Sequence, residues 1–164
     1  MSYQAPEATQ VGHVHLKVAD LDRAIAFYSG ILGFSVMARI GNKAAFLGAG
    51  GYHHHIGLNT WESEGATPPP KGHTGLYHSA FLYPKRADLA KAVQRVMEAG
   101  ITLDGMSDHS VSEAIYLRDS DENGVELYWD RPRDLWITDD KGHVSLATKR
   151  LDLKDLLKEV ASQE

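Results

Sequence analysis

The side chains able to do metal or proton chemistry in this sequence are imidazoles, carboxylates and phenols, because it holds nine histidines and no cysteine. His13 and His15 lie two apart, His53, His54 and His55 form a run, and His78 and His109 stand alone. Two neutral imidazoles and one carboxylate make a suitable set for Fe(II), Mn(II) or Zn(II), and His13, His78 and Glu126 are candidates for it. Glu126 lies between Val125 and Leu127, so a core-facing carboxylate there would be costly without a partner. The same pattern is met by half-exposed strand residues with no shared role. His73 and His143 fall in polar stretches and carry no assignment.

Those residues need elements to position them. Around His13 and His15 the apolar Val14, Leu16 and Val18 recur at a period of two, which predicts a strand with both histidines on one face. Asp20 then caps a helix through Leu21, Ala24, Ile25, Tyr28 and Leu32, stopped by Gly33. Strands are expected over 34–39, 44–47 and 52–58, followed by a linker that includes Pro68, Pro69 and Pro70. The second half repeats the order: a strand over 76–83, a helix over 87–99 ended by Gly100, and strands over 101–103, 114–118 and 125–129. His78 occupies the position in this half that His13 occupies in the first. The fold class expected from this order is α+β, with two βαβββ modules. The divisions are a tail over 1–10 and a domain over 11–132, made of module one (11–62), a linker (63–74) and module two (75–132). An extension over 133–164 follows, with a short strand over 144–147 and a helix over 153–160. The expected core includes Leu16, Val18, Phe27, Leu32, Ala92, Val96 and Leu127.

A formal net charge of −5 argues against a nucleic-acid partner. No apolar run reaches membrane-spanning length, and the first residues lack a signal pattern, so the expected setting is cytoplasmic with no membrane partner.

From Val11 to Pro132, about three quarters of the chain, the sequence resembles the vicinal oxygen chelate superfamily. This group includes glyoxalase I, extradiol dioxygenases, and fosfomycin and bleomycin resistance proteins. The carriers are the stretch Gly12 to Val18 with Asp20, then Ala26-Phe27-Tyr28 and Leu32-Gly33-Phe34, then Gly75-Leu76-Tyr77-His78, and finally Asp119 to Leu127. The resemblance implies that the two modules pair into a half-open sheet cleft, with a divalent metal at its base held by His13, His78 and Glu126 and with His15 as a neighbour. Glyoxalase I-like members add an acidic residue on the last strand of the first module, and residues 52–61 contain no aspartate or glutamate. That departure points to the extradiol branch, closest to catechol-2,3-dioxygenase-like members. Its implied cofactor is Fe(II), with Mn(II) or Zn(II) as alternatives, and its implied substrates are an aromatic diol and O₂.

By the same resemblance His54 is the acid/base and Tyr116, ten residues before the ligand glutamate, lines the cleft. The stretch Asp108 to Ala114 matches a motif whose histidine, here His109, lies near the cleft mouth. Polar edge histidines and a core tyrosine are the plainer readings of the same residues. Two-domain extradiol enzymes are about twice this length, so a one-domain version is implied, with cover from the extension or from a second copy in a homodimer. A glyoxalase-like isomerase or epimerase, and a protein that binds a small molecule without catalysis, are the alternatives. The first lacks its carboxylate base over 52–61, and the second has no need of all three ligands.

Overall fold

The computed structural model describes residues 2–145 and 147–161. The chain divides into two compact units, Met1–Thr67 and Pro68–Glu164, and each is taken by itself.

In the first unit β1 (Val14–Lys17) leads to α1 (Leu21–Ile25), and β2 (Ser35–Ile40), β3 (Ala44–Gly48) and β4 (Ile56–Asn59) follow. The sheet order is β1-β4-β3-β2, with β1 parallel to β4 and the other pairs antiparallel. The alternation read in β1 is present: Leu16 and Val18 are buried, while His13, His15 and Lys17 are exposed. Central β4 is buried throughout.

The first helix departs from expectation. Asp20 caps it, accepting a hydrogen bond from Arg23 N at 3.0 Å, but the α-helix ends at Ile25 and the chain widens into a π-helical stretch, Ala26–Ile31. Its signature is the bond from Leu32 N to Phe27 O. The wider turn lets the consecutive Phe27 and Tyr28 both enter the core, their rings 4.9 Å apart and nearly perpendicular. Gly33 then ends the helix at φ +84°, in the left-handed region.

The second unit repeats the plan: β5 (Ser79–Leu82), α2 (Arg86–Glu98), β6 (Leu103–Asp108), β7 (Ser112–Arg118) and β8 (Gly124–Asp130). With a further strand β9 (Lys149–Arg150), the sheet order is β5-β8-β7-β6-β9, again with the first strand of the module parallel to its last. Val125 and Leu127 are buried, and Glu126 takes the other face, as their alternation requires. The expected strand over 76–83 is shorter, since Leu76 and Tyr77 are exposed and unpaired in the sheet. The one expected over 101–103 lies later and is longer.

The extension differs most. No strand spans 144–147 among the described residues; Val144 makes a single bridge to Thr138, and Leu146 lies outside the described residues. The added strand is instead β9 (Lys149–Arg150), paired with β6 through Ser107 and Asp108. The closing helix α3 (Leu153–Ala161) buries Leu156, and with Leu151 extends the core. All seven expected core residues are buried. Among the described residues no helix is long and apolar enough to cross a membrane.

Candidate active site

Each unit gathers part of the chemistry. In the first, His13 lies just before β1, and its ring centroid is 4.4 Å from that of His54. His54 in turn meets Phe46 edge-on at 5.1 Å, so both histidines lie along the sheet face that β3 gives to Phe46. The run His53 to His55 does not belong to a strand, contrary to the strand expected over 52–58. Strand alternation therefore does not set which histidine faces where. Gly50 and Gly51, both at positive φ, turn the chain, and Gly48 lets the Tyr52 carbonyl approach to 2.3 Å of where a Cβ would stand. The loop gives the three histidines different neighbours. His55 Nδ1 accepts from Ala49 N at 3.3 Å, and its ring meets Tyr52 at 4.7 Å. His53 and His54 approach Nδ1 to Nδ1 at 2.7 Å, so one ring donates and the other accepts. Partial burial, followed by the charges available on His13, His53, His15 and His55, lowers the His54 pKa below the usual histidine value.

His15 is held differently. Its Nε2 lies 2.9 Å from Asn59 Nδ2, and Asn59 Oδ1 accepts from Trp61 N at 3.2 Å. Because a backbone N–H only donates, the Asn59 oxygen must face Trp61 and its NH₂ must face His15. His15 Nε2 is thus an acceptor already in use, which leaves it unable to ligate a metal through that atom.

In the second unit His78 Nε2 lies 2.9 Å from Glu126 Oε2, with the glutamate side chain 13% exposed. Parallel pairing of β5 with β8 brings the two together, since Ala80 sits opposite Glu126 and His78 just precedes that strand. Gly124 is essential to the approach: a Cβ there would stand 2.1 Å from Tyr77 O and 3.1 Å from His78 Cα. Tyr116 is the direct cross-strand neighbour of Glu126 and shares its face. Burial, then the Glu126 charge and the hydrogen bond to its carboxylate, pushes the Tyr116 pKa up to about 12. The phenol therefore keeps its proton. Its hydroxyl is also 2.8 Å from His109 Nε2. His109 is no free loop residue; its Nδ1 donates to the Ala147 carbonyl at 3.1 Å.

Sequence reasoning missed the charges that shape this hairpin. Glu113, with its side chain 4% exposed, accepts from Arg86 Nε at 2.8 Å and from Arg131 Nη2 at 2.9 Å. Arg131 also reaches Asp108, whose other oxygen accepts from Ser110 N. Burial opposes ionisation of Asp108, but these two partners hold its pKa below the usual carboxylate value. Arg86 goes on to Asp155 and Glu159 of α3. The available signal was a glutamate inside the apolar run of β7, which demands a cationic partner.

The candidate ligands thus come from both units, His13 from the first and His78 with Glu126 from the second. Among the described residues no three histidine, aspartate or glutamate side chains stand as a ready metal cluster. The pair in the second unit fits a metal nonetheless. Two ligands about 2.1 Å from an ion and at right angles to each other stand roughly 3.0 Å apart. The 2.9 Å between His78 Nε2 and Glu126 Oε2 matches that spacing, and imidazole with carboxylate suits Fe(II), Mn(II) or Zn(II).

Residues 10–127 match the model of the Glyoxalase/Bleomycin resistance protein/Dioxygenase superfamily. The chain belongs to this superfamily. It is 37% identical over 158 residues to a catechol-2,3-dioxygenase of Bacillus subtilis, an alignment covering 96% of this chain and 54% of the relative. A biphenyl-2,3-diol 1,2-dioxygenase of Rhodococcus globerulus is 30% identical over 122 residues, covering 74% of this chain and 63% of that one. The matched residues of this superfamily member therefore span about half of the first relative and less than two thirds of the second. Among solved structures, a glyoxalase/dioxygenase from Nostoc punctiforme has a TM-score of 0.66 at 23% identity, covering 80% of this chain and 99% of its own, which shows the shared fold.

Proposed function

We propose that this protein is an Fe(II)-dependent extradiol dioxygenase that opens an aromatic diol beside its hydroxyls. The observation that carries the reading is the His78–Glu126 pair at 2.9 Å with Tyr116 directly across the strand, in a chain similar to two proteins named as diol dioxygenases. His13, His78 and Glu126 would hold the metal. When bound, that ion would act as the Lewis acid for the diol and as the centre that activates O₂.

The chain's own groups do the rest. His54 takes the proton from the second hydroxyl of the diol, a task suited to an imidazole whose pKa is lowered so that it stands ready as a base. Its short contact with His53 offers the proton a second site. The Tyr116 hydroxyl, which keeps its proton, stands beside the diol oxygen as a hydrogen-bond partner, and His109 sets the orientation of the phenol. The overall reaction balances without another reductant, because the ring loses one carbon–carbon bond and both atoms of O₂ enter the product.

Two further observations support this over an isomerase reading. The last strand of the first module, β4, carries no carboxylate, and the acids just after it are committed elsewhere: Glu62 to Lys17 at 3.6 Å and Glu64 to Lys43. The test is to load the protein with Fe(II) under anaerobic conditions, add catechol and then air, and follow O₂ uptake with the appearance of a yellow product. Uptake equal to diol consumed supports the proposal. Full iron loading with no O₂ uptake on a panel of catechols would remove it.

A further inference from the structure

His15 is more elaborately held than a bystander on an exposed strand face needs to be. Its ring lies flat on Gly57, where a Cβ would come within 2.9 Å of Cγ and Nδ1. Phe46 meets it edge-on at 5.9 Å and Trp61 stands at the same distance. Asn59, only 7% exposed, spends its NH₂ on Nε2 and its carbonyl on Trp61 N. Since Nε2 accepts, the ring's proton sits on Nδ1, and that N–H has no partner among the described residues. The ring is thus a fixed donor with one orientation.

Its place in the first unit gives the donor a use. The rings of His13, His54, Phe46, His15 and Trp61 run in unbroken succession, each in contact with the next. Neighbours on one face of a strand are about 6.8 Å apart, so His15 stands one side chain further along β1 than His13. An aromatic diol held at His13 and laid along this row would bring its ring against Phe46 and a ring substituent to His15.

We propose that His15 is a specificity-determining residue: its Nδ1–H binds an acceptor oxygen, such as a carboxylate, on a ring substituent of the diol. This rests on the reading of His13 as a ligand and of a diol as substrate. Along β1 itself His15 is the first donor after His13 on that face, ahead of Lys17, which pairs with Glu62 at 3.6 Å.

Two measurements test it. In histidine-labelled protein, nitrogen-15 NMR should find His15 in the Nδ1–H form, and Asn59→Leu should release it to a mixture of tautomers. A His15 ring protonated on Nε2 in the wild type overturns the proposal. Calorimetry on the Zn(II)-loaded protein then compares carboxymethyl catechol with ethyl catechol, which has the shape without the acceptor. A hydrogen bond to a charged group predicts at least a tenfold preference for the carboxymethyl ligand. His15→Phe, which keeps an aromatic ring on Gly57, should reduce that ratio to about one. A ratio unchanged by His15→Phe, with both diols still bound, overturns this inference and leaves the dioxygenase reading standing. Failure of the wild type to bind either diol overturns both.

Discussion

Substituting alanine for Gly124 is expected to damage the proposed metal centre from a residue that would hold no metal. The added Cβ would stand 2.1 Å from Tyr77 O and 3.1 Å from both Cα and Cβ of His78. Since such atoms are not found closer than 3.0 Å, the Tyr77–His78 backbone must retreat by nearly an ångström. That backbone carries Nε2 to its 2.9 Å approach to Glu126. Changes one step behind a ligand typically cost about 10–100-fold in metal affinity, and overpacking adds about 1–3 kcal/mol of destabilisation. Titration calorimetry with Mn(II) should therefore find a Kd raised by one to two orders of magnitude in a protein that still melts cooperatively. Gly105→Ala is the control, because its Cβ would lie at an ordinary 3.7 Å from the Tyr116 ring, and it should leave both quantities nearly unchanged. Wild-type affinity and stability in Gly124→Ala would refute the argument that close approach at this glycine sets the His78 position.

Replacing His54 by glutamine should preserve metal and diol binding but lower turnover by about 10²–10⁴-fold, and steady-state kinetics with the loss in kcat checks it. Glu113→Ala leaves Arg86 and Arg131 without their shared buried carboxylate and should cost ~3 kcal/mol in urea unfolding; a loss below 1 kcal/mol would contradict the role given to that network. Alkaline stability is expected to fall as pH rises through the interval from about 10 to about 12. Burial pushes Tyr83 up to about 12, so the unfolded chain ionises first; below about 10 both states keep the proton and no dependence arises from it. Tyr83→Phe should reduce that slope in pH-dependent thermal melts, leaving the share that Tyr116 contributes, and an unaltered slope would count against it.

The parts of this fold that were legible in the sequence are those where one periodicity rules. Leu16 and Val18 alternate with His15 and Lys17, and the structure buries the first pair and exposes the second. Val125 and Leu127 likewise fix the face of Glu126. The π-helical turn was not legible, because Phe27 and Tyr28 are both apolar enough to pass as one α-helical stripe. Residues 52–55 were misread for a related reason: aromatic and histidine side chains resemble a strand, while the turn is made by backbone at Gly48, Gly50 and Gly51. The setting of His15 depends on Asn59, 44 residues away, and no local pattern reports such a pair. The same holds for Arg86, which reaches α3 across 73 residues of sequence at Glu159. The charge network was visible only as a demand, a glutamate in an apolar strand, with its partners unspecified.

Under the proposed function the protein inserts both atoms of O₂ into an aromatic diol, with His13, His78 and Glu126 holding the metal. Mass spectrometry of the product formed by the Fe(II)-loaded enzyme under isotopically heavy O₂ tests it most directly. The expected result is a ring-opened product carrying two heavy oxygen atoms, and no product from Glu126→Ala. A product of unchanged mass, with the ring intact and no label, would contradict it.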